Sequence, residues 1–489
     1  MKYIKFKAIV ILIVLMVAGS CTNDFLEMNT DPNNPTTVPA TNVLASAIQA
    51  HASDNHDVWS LGNEHGSYAG HISKIQYIDE ARYEYRESTV NNRWTDYYNY
   101  INDLKKAMEL AVVEENTNLE AAALTFQCYL MHNVTDEWGD VPYTEAIRGD
   151  EGSLLPAYDS QQSIYAGILD DLKKAADMFN TGTGDLGPGD LLYGDDPAAW
   201  QMWCNSLRLR VAIRMSNIDP GGATAVLTEV LGNPSSYPIM GNVADGAALM
   251  WTSSSPYREP FWEDNVSRDD HAVCSYIIDE MKALNDPRIA SIAYPAESDG
   301  EYRGIAPGLS PDDEGFPLTS MSRIGEMFRE RPDGLSDFQR YSEVLFIVAE
   351  AVHRGLASYS MTAQEAYEAA IAASFEEMEV DAAEVAAYIA QPEVAYSADA
   401  AGLTKIYQQK WLSLFKTHEA WAENRRTDVP QIDVAPGSIY AGHNRQPFRY
   451  PYANNEKNLN NANVAAASAG VVDNFWGKQM WWDTRTGVN

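Results

Sequence analysis

Residues 119–146 read LEAAALTFQCYLMHNVTDEWGDVPYTEA. Leu119, Ala123, Phe126, Leu130 and Val134 recur at steps of four, three, four and four, so the first half is a helix with one apolar face. The second half ends that helix. Gly139 can enter positive φ, and Pro142 fixes its own φ while pushing Val141 toward extended backbone.

Similar helices flank this one. A helix is expected over 40–52, followed by a polar, His-rich and aromatic stretch up to Arg93. Residues 94–115 return to helical period, with Tyr97, Ile101, Leu104, Met108 and Ala111 on one stripe. The short link to the next helix implies antiparallel neighbours. Ile164, Ile168, Leu172, Ala175 and Phe179 line a further helix, and Trp200, Trp203, Leu207 and Val211 the one after it. Tyr341, Leu345, Val348 and Val352 line another, ending near Gly355. Thr362 and Glu365 have the spacing of a capping box and open a helix with Tyr367, Ala370 and Ile371 inward. Leu403, Tyr407, Trp411, Leu414, His418 and Trp421 predict one long helix. Long irregular insertions cover 181–197, 232–271 and 294–340, and 428–489 shows almost no helical period. The expected fold is therefore mainly α: degenerate tetratricopeptide-like helix pairs with a large irregular, loop-rich half that carries the ligand site.

The chain has 489 residues, 45% apolar and 21% charged, enough to bury a sizeable core. Its net charge of −34 argues against nucleic acid and against charge-driven binding to anionic lipid. Residues 1–20 read as a targeting segment. Lys2, Lys5 and Lys7 precede a short apolar run, Ala8 to Val17, and small residues then lead to Cys21. This looks like a bacterial lipoprotein signal with Cys21 as the acylated first mature residue, although Ala18 stands where such signals usually carry Leu. Residues 21–39 read as an Asn/Asp/Pro-rich tether and 40–489 as a single domain. Cys128, Cys204 and Cys274 are too few and too scattered for a disulfide framework, and Cys128 reads as a buried free thiol.

Strong catalytic motifs do not occur. The run from Gly182 to Gly189 lacks the Lys-Ser/Thr of a phosphate loop, and Ala422 stands where a zincin-like helix beginning at His418-Glu419 needs its second His. His51, His56, His65 and His71 read as solvated loop or helix residues, and no metal, cofactor or catalytic residue is expected. Glu137 and Asp140 read as capping and turn groups, and Ser310 to Gly315 as a solvated acidic turn. The positive signal is aromatic. Tyr77, Tyr83 and Tyr85 lie in one polar stretch; Trp251, Tyr257, Phe261 and Trp262 lie in another with Arg258. Flat rings stack on the C–H faces of sugars or on peptide side chains, and core packing is the alternative role for each. The candidate ligand residues are Tyr77, Tyr83, Tyr257, Arg258 and Trp262.

The chain resembles the SusD/RagB-like family of nutrient-binding outer-membrane lipoproteins, in the branch with a Gly-Ile-x-Pro-Gly element. The resemblance starts with the helix running into Gly139-Asp-Val-Pro-Tyr143. It continues through Asp286-Pro287-Arg288, Tyr302-Arg-Gly-Ile305-Ala-Pro307-Gly308, the helix from Arg340 through Glu343 to Glu350, and Gln409-Lys410-Trp411. Glu419-Ala-Trp421, Arg425 to Pro430, Arg449-Tyr450-Pro451 and Trp481-Trp482-Asp483 complete it in order. These motifs serve the scaffold, with Glu350, Arg425 and Arg426 read as buried ion-pair partners. The resemblance implies a non-enzymatic, lipid-anchored, surface-facing protein of the outer membrane. Such a protein binds an oligosaccharide, or alternatively an oligopeptide, and delivers it to a SusC-like TonB-dependent transporter. A surface glycoside hydrolase and a purely structural transporter subunit are the other classes.

Overall fold

The computed structural model describes residues 38–315 and 317–489. The expected signal at 1–20, Cys21 and most of the tether lie outside these residues. The chain starts with α1 (Ala40–Asn55), which leads to a π-helix (Val58–His65) and β1 (Ile72–Lys74). Then come α2 (Glu87–Val113), α3 (Thr117–Trp138), α4 (Gln161–Thr181), α5 (Pro197–Met215) and α6 (Pro220–Gly232). After β2 (Ala247–Met250), α7 (Pro260–Ser267), β3 (His271–Val273), α8 (Ser275–Ala283) and β4 (Leu335–Gln339), helices return. They are α9 (Tyr341–His353), α10 (Ala363–Glu377), α11 (Ala382–Ile389), α12 (Ala400–Ser413) and α13 (Glu419–Thr427). The strands form two short antiparallel ladders, β1–β3 and β2–β4.

Short polar side chains start several of these helices. Asn116 caps α3 through the Leu119 N–H at 3.0 Å, and Asp196 and Asp219 cap α5 and α6 just before a proline. Thr362 and Glu365 form the expected capping box of α10. From α1 to α6 each helix packs on the next, and α3 also touches α5; α9 packs on α5, α10 and α12. This is the tetratricopeptide-like arrangement of stacked pairs. At the end of α3, Gly139 has φ +80°, and the later segment closes over the turn. Trp138 Nε1 donates to the Pro451 carbonyl at 3.0 Å, and the Tyr450 N–H donates to the Glu137 carbonyl at 2.7 Å.

Arginines in the core bind the helices together. Arg210 of α5 forks onto Glu343 of α9 at 2.7 and 2.6 Å. Arg426 of α13 forks onto Glu350 at 2.8 and 2.6 Å and reaches Glu423 at 2.6 Å. Arg214 pairs with Glu419, and Lys410 lies 3.2 Å from Glu423. The expected Glu350–Arg426 pair is present, but Arg425 departs from its expected role. Among the described residues it has no carboxylate within 4 Å. Its guanidinium donates to the Phe448 carbonyl at 2.7 Å and lies 3.7 Å from the Trp421 ring centroid.

Two other expectations are corrected. The single helix expected over 403–421 is broken at 414–418. Lys416 takes φ +59° there, and its buried ammonium donates to Glu259 at 2.6 Å and to the Phe328 carbonyl at 3.0 Å. Those bonds replace the continuous helix ladder. The histidines expected in solvent are buried: His51, His56, His65 and His71 are each at most 1% exposed. They sit among aromatic rings; His51 packs against Tyr97, Phe126, Tyr129 and Phe338. A neutral imidazole is far cheaper to bury than a charged one, which is why a polar-looking stretch folds inward. Cys128, Cys204 and Cys274 are buried free thiols.

Removing Glu350 leaves Arg426 with part of its charge uncompensated in the core. Glu350→Ala should lower unfolding free energy by about 3–5 kcal/mol in a denaturant titration; a loss under about 1 kcal/mol would contradict that role. Burial also makes the fold acid-sensitive. Desolvation lowers His51, His71 and His271 to about 3 and holds His56 well below 6.5. Between those values and 6.5 the unfolded chain binds more protons. Stability present above pH 6.5 is therefore lost as pH falls, at about 1.4 kcal/mol per pH unit for each such histidine. Carboxyls raised by burial act in the opposite sense, but only Asp57 and Glu377 are raised as far as about 7, two groups against these four histidines. The denaturation midpoint should drop between pH 7.5 and 5; a constant or rising midpoint would contradict the assignment.

Candidate functional site

The π-helix buries Val58, Leu61 and His65 and leaves Trp59 46% exposed. Its N-cap Asp57 accepts the Ser60 N–H at 2.8 Å. Lys74, at the end of β1, places its ammonium 5.4 Å from the Trp59 ring centroid and 3.2 Å from Glu80. β1 pairs with β3 so that Lys74 stands opposite His271, and this register brings Tyr77 beside Arg268. The Arg268 guanidinium lies 5.1 Å from the Tyr77 centroid and is fixed by Asp270 at 2.6 Å. Tyr77 is 65% exposed. His271 Nε2 meets Asn63 Oδ1 of the π-helix at 2.8 Å, and α7 touches the π-helix. The two irregular segments are thereby joined.

A second exposed group sits at the start of α7. Tyr257 is 53% exposed at the end of a turn in which its carbonyl accepts the Thr252 N–H at 2.8 Å. The Arg258 guanidinium lies 4.8 Å from the centroid of the half-buried Trp262 and donates to the Ser253 carbonyl at 3.3 Å. Glu259 anchors the helix: it accepts the Trp262 N–H at 2.8 Å and pairs with Lys416, the residue in the break before α13. Burial raises the Glu259 carboxyl and Lys416 opposes that shift.

Four of the five candidate residues thus sit on open or half-open surface, and Tyr83 does not. It is 2% exposed, with φ +69° at the end of a 3-10 turn that directs it into the core. There its hydroxyl accepts the Ala435 N–H at 2.7 Å, and its ring packs against Tyr68 and Trp476. Trp251 and Phe261, from the same aromatic stretches, are buried as well.

Trp59 escaped the sequence reading. It forms one wall of a polar pocket of about 340 Å³ lined by Asp54, Asp57, Thr89, Asn92 and Asp96. Burial raises the Asp57 carboxyl to about 7, opposed by the Ser60 N–H and by Arg93; burial and then Asp54 raise Asp96. A lone Trp among polar residues just past α1 was the available signal. A ring beside carboxyl and amide groups suits a ligand with both C–H faces and hydroxyls. Two larger clefts, about 760 and 690 Å³, are lined mainly by aliphatic and charged side chains and contain no Trp.

A helical scaffold presenting open rings beside polar groups has the surface features of a binding site. The sequence profile of the SusD-like family, described as starch-binding and associating with the outer membrane, matches residues 32–453, and the chain belongs to that family. Solved structures agree in fold. A Bacteroidetes SusD-like protein is 23% identical, with a TM-score of 0.79 over 92% of this chain and 100% of its own. A chitin-binding SusD homolog from Flavobacterium johnsoniae is 23% identical, with a TM-score of 0.75 over 91% of this chain and 98% of its own. An outer-membrane protein from Bacteroides vulgatus, described as involved in nutrient binding, is 23% identical, with a TM-score of 0.74 over 91% of this chain and 100% of its own. No curated protein matches in sequence. Among the described residues no helix is long and apolar enough to cross a membrane.

Tyr83 provides a check on the division between core and surface. Tyr83→Phe removes one buried hydrogen bond and should cost about 1 kcal/mol of stability while leaving ligand affinity unchanged; a loss of affinity in the folded variant would return Tyr83 to the ligand surface.

Proposed function

We propose that this protein captures an oligosaccharide at the cell surface and hands it to a SusC-like TonB-dependent transporter, held to the outer membrane by a lipid on Cys21. The observation that carries the reading is the pair of open rings, Trp59 and Tyr77, each with a cation against it and with a polar pocket beside Trp59. Tyr257, Arg258 and Trp262 extend the same kind of surface along α7. Membership of a family described as starch-binding, and the chitin-binding relative, support a glycan cargo. The role needs no covalent step, and a micromolar to millimolar Kd, about −8 to −4 kcal/mol, suffices for a cargo passed onward. The carboxyl groups of Asp54, Asp57 and Asp96 favour a second reading in which the cargo bears amines, as an oligopeptide does.

Calorimetry of the mature chain with malto-oligosaccharides, chito-oligosaccharides and short peptides separates these readings. Trp59→Ala and Tyr77→Ala should each weaken glycan binding about tenfold, equivalent to about 1.4 kcal/mol, without changing Tm. Unchanged affinity in both variants removes this face from the proposal, and turnover of any cargo contradicts the non-catalytic role.

A further inference from the structure

Three helix ends converge on one small buried space. His65 is the last residue of the π-helix, Glu137 lies one residue before the end of α3, and His418 is the N-cap of α13. Their relative exposures are 1%, 3% and 7%. His65 Nε2 and Glu137 Oε1 are 3.2 Å apart, and one donor atom from each of the three residues lies within 4.8 Å of the others. A cavity of about 10 Å³ sits among them, room for a single small occupant.

The hydrogen bonds around this space leave one potential ligand atom unpartnered on each of the three residues. His418 meets Ser60 Oγ through Nε2 at 3.2 Å, and its Nδ1 has no hydrogen-bond partner. His65 uses Nδ1 toward the Ser60 carbonyl at 3.2 Å, and its Nε2 has no hydrogen bond. Glu137 Oε1 accepts the Tyr97 hydroxyl at 2.8 Å, and its Oε2 has no hydrogen bond. Each group is thus oriented by a bond on one side and unsatisfied on the other, as metal-ligating side chains are. The charges point the same way. Of the lining carboxylates, Glu419 is taken by Arg214, which also stands 3.4 Å from Asp136. Glu137 has no Lys or Arg within 4 Å among the described residues, and a buried carboxylate without a cation is costly. Arg425, which also lines the space, is engaged by the Phe448 carbonyl and the Trp421 ring.

We propose that His65, Glu137 and His418 form a buried site for one divalent transition-metal cation. Two imidazole nitrogens and one carboxylate oxygen fit Zn²⁺ better than Ca²⁺ or Mg²⁺, which take oxygen donors. The ion ties the π-helix, the end of α3 and the break before α13 into one knot, and it needs no role in cargo binding. The competing occupants are a single water or a proton shared by His65 and Glu137.

The test refolds the full mature chain with Zn²⁺, dialyses it, and counts the metal by mass spectrometry; a parallel sample takes Co²⁺ for its visible ligand-field bands. One Zn²⁺ per folded chain is expected. Glu137→Gln and His418→Gln, folded by circular dichroism, should weaken retention about tenfold or more, whereas His443→Ala, a histidine outside the cluster, should not. A folded wild-type chain that retains no metal, or retention insensitive to both core variants, overturns the proposal. If those variants do not fold, anomalous scattering at the zinc edge from wild-type crystals decides it. A peak among the three side chains supports the site, and water without anomalous signal overturns it.

Discussion

Opposite charges buried between helices are the constraint on which the rest of the structure depends. Arg210, Arg214 and Arg426 each enter the core and meet Glu343, Glu419 and Glu350, respectively, from a different helix. Apolar packing alone tolerates small slips of one helix along another. A forked guanidinium–carboxylate pair does not, because a slip leaves a charge in a dry interior without its partner. Burial penalises the charged forms of Glu350 and Glu423, yet both carboxyls end below their ordinary value because Arg426 faces them, helped at Glu423 by Lys410. These pairs set where α13 begins after the break that ends α12.

That break has consequences at the surface. It frees Lys416 to turn back and pair with Glu259, the N-cap of α7. α7 in turn holds Trp262, with Arg258 against its ring, and touches the π-helix that displays Trp59. A chain of contacts therefore runs from the charged core to the rings on the loop-rich half. Rigid helices supply the position and irregular segments supply the groups, a division common to many binding proteins.

Most of the stacked helices are legible because they carry an apolar stripe at helical spacing; α6 is not among them. Thr362 announces its helix locally, and the structure adds the caps Asn116, Asp196 and Asp219. The break at 414–418 was not legible. Leu414, His418 and Trp421 keep the helical period, and the groups that compensate for the lost helix, Glu259 and the Phe328 carbonyl, lie far away in sequence. The same limit separates Tyr77 from Tyr83. Both belong to one polar stretch and both have positive φ, but Tyr83 is drawn inward by Ala435, more than three hundred residues on. Trp59 depends on a π-helix, whose wider turn has no sequence period to reveal it. The buried histidines looked solvated because composition does not show that imidazoles can be buried neutral among aromatic rings.

Under the proposed function, 57–77 and 252–268 form the sugar-binding face of a rigid, non-reactive helical frame. Hydrogen–deuterium exchange of the full mature chain, with and without a bound oligosaccharide, tests this most directly. The account predicts slowed exchange confined to those two segments and the first turns of α2, with α3 to α6 and α9 to α13 unchanged and the glycan recovered intact. Slowed exchange centred on the α9–α11 cleft instead, or recovery of a cleaved glycan, would contradict it.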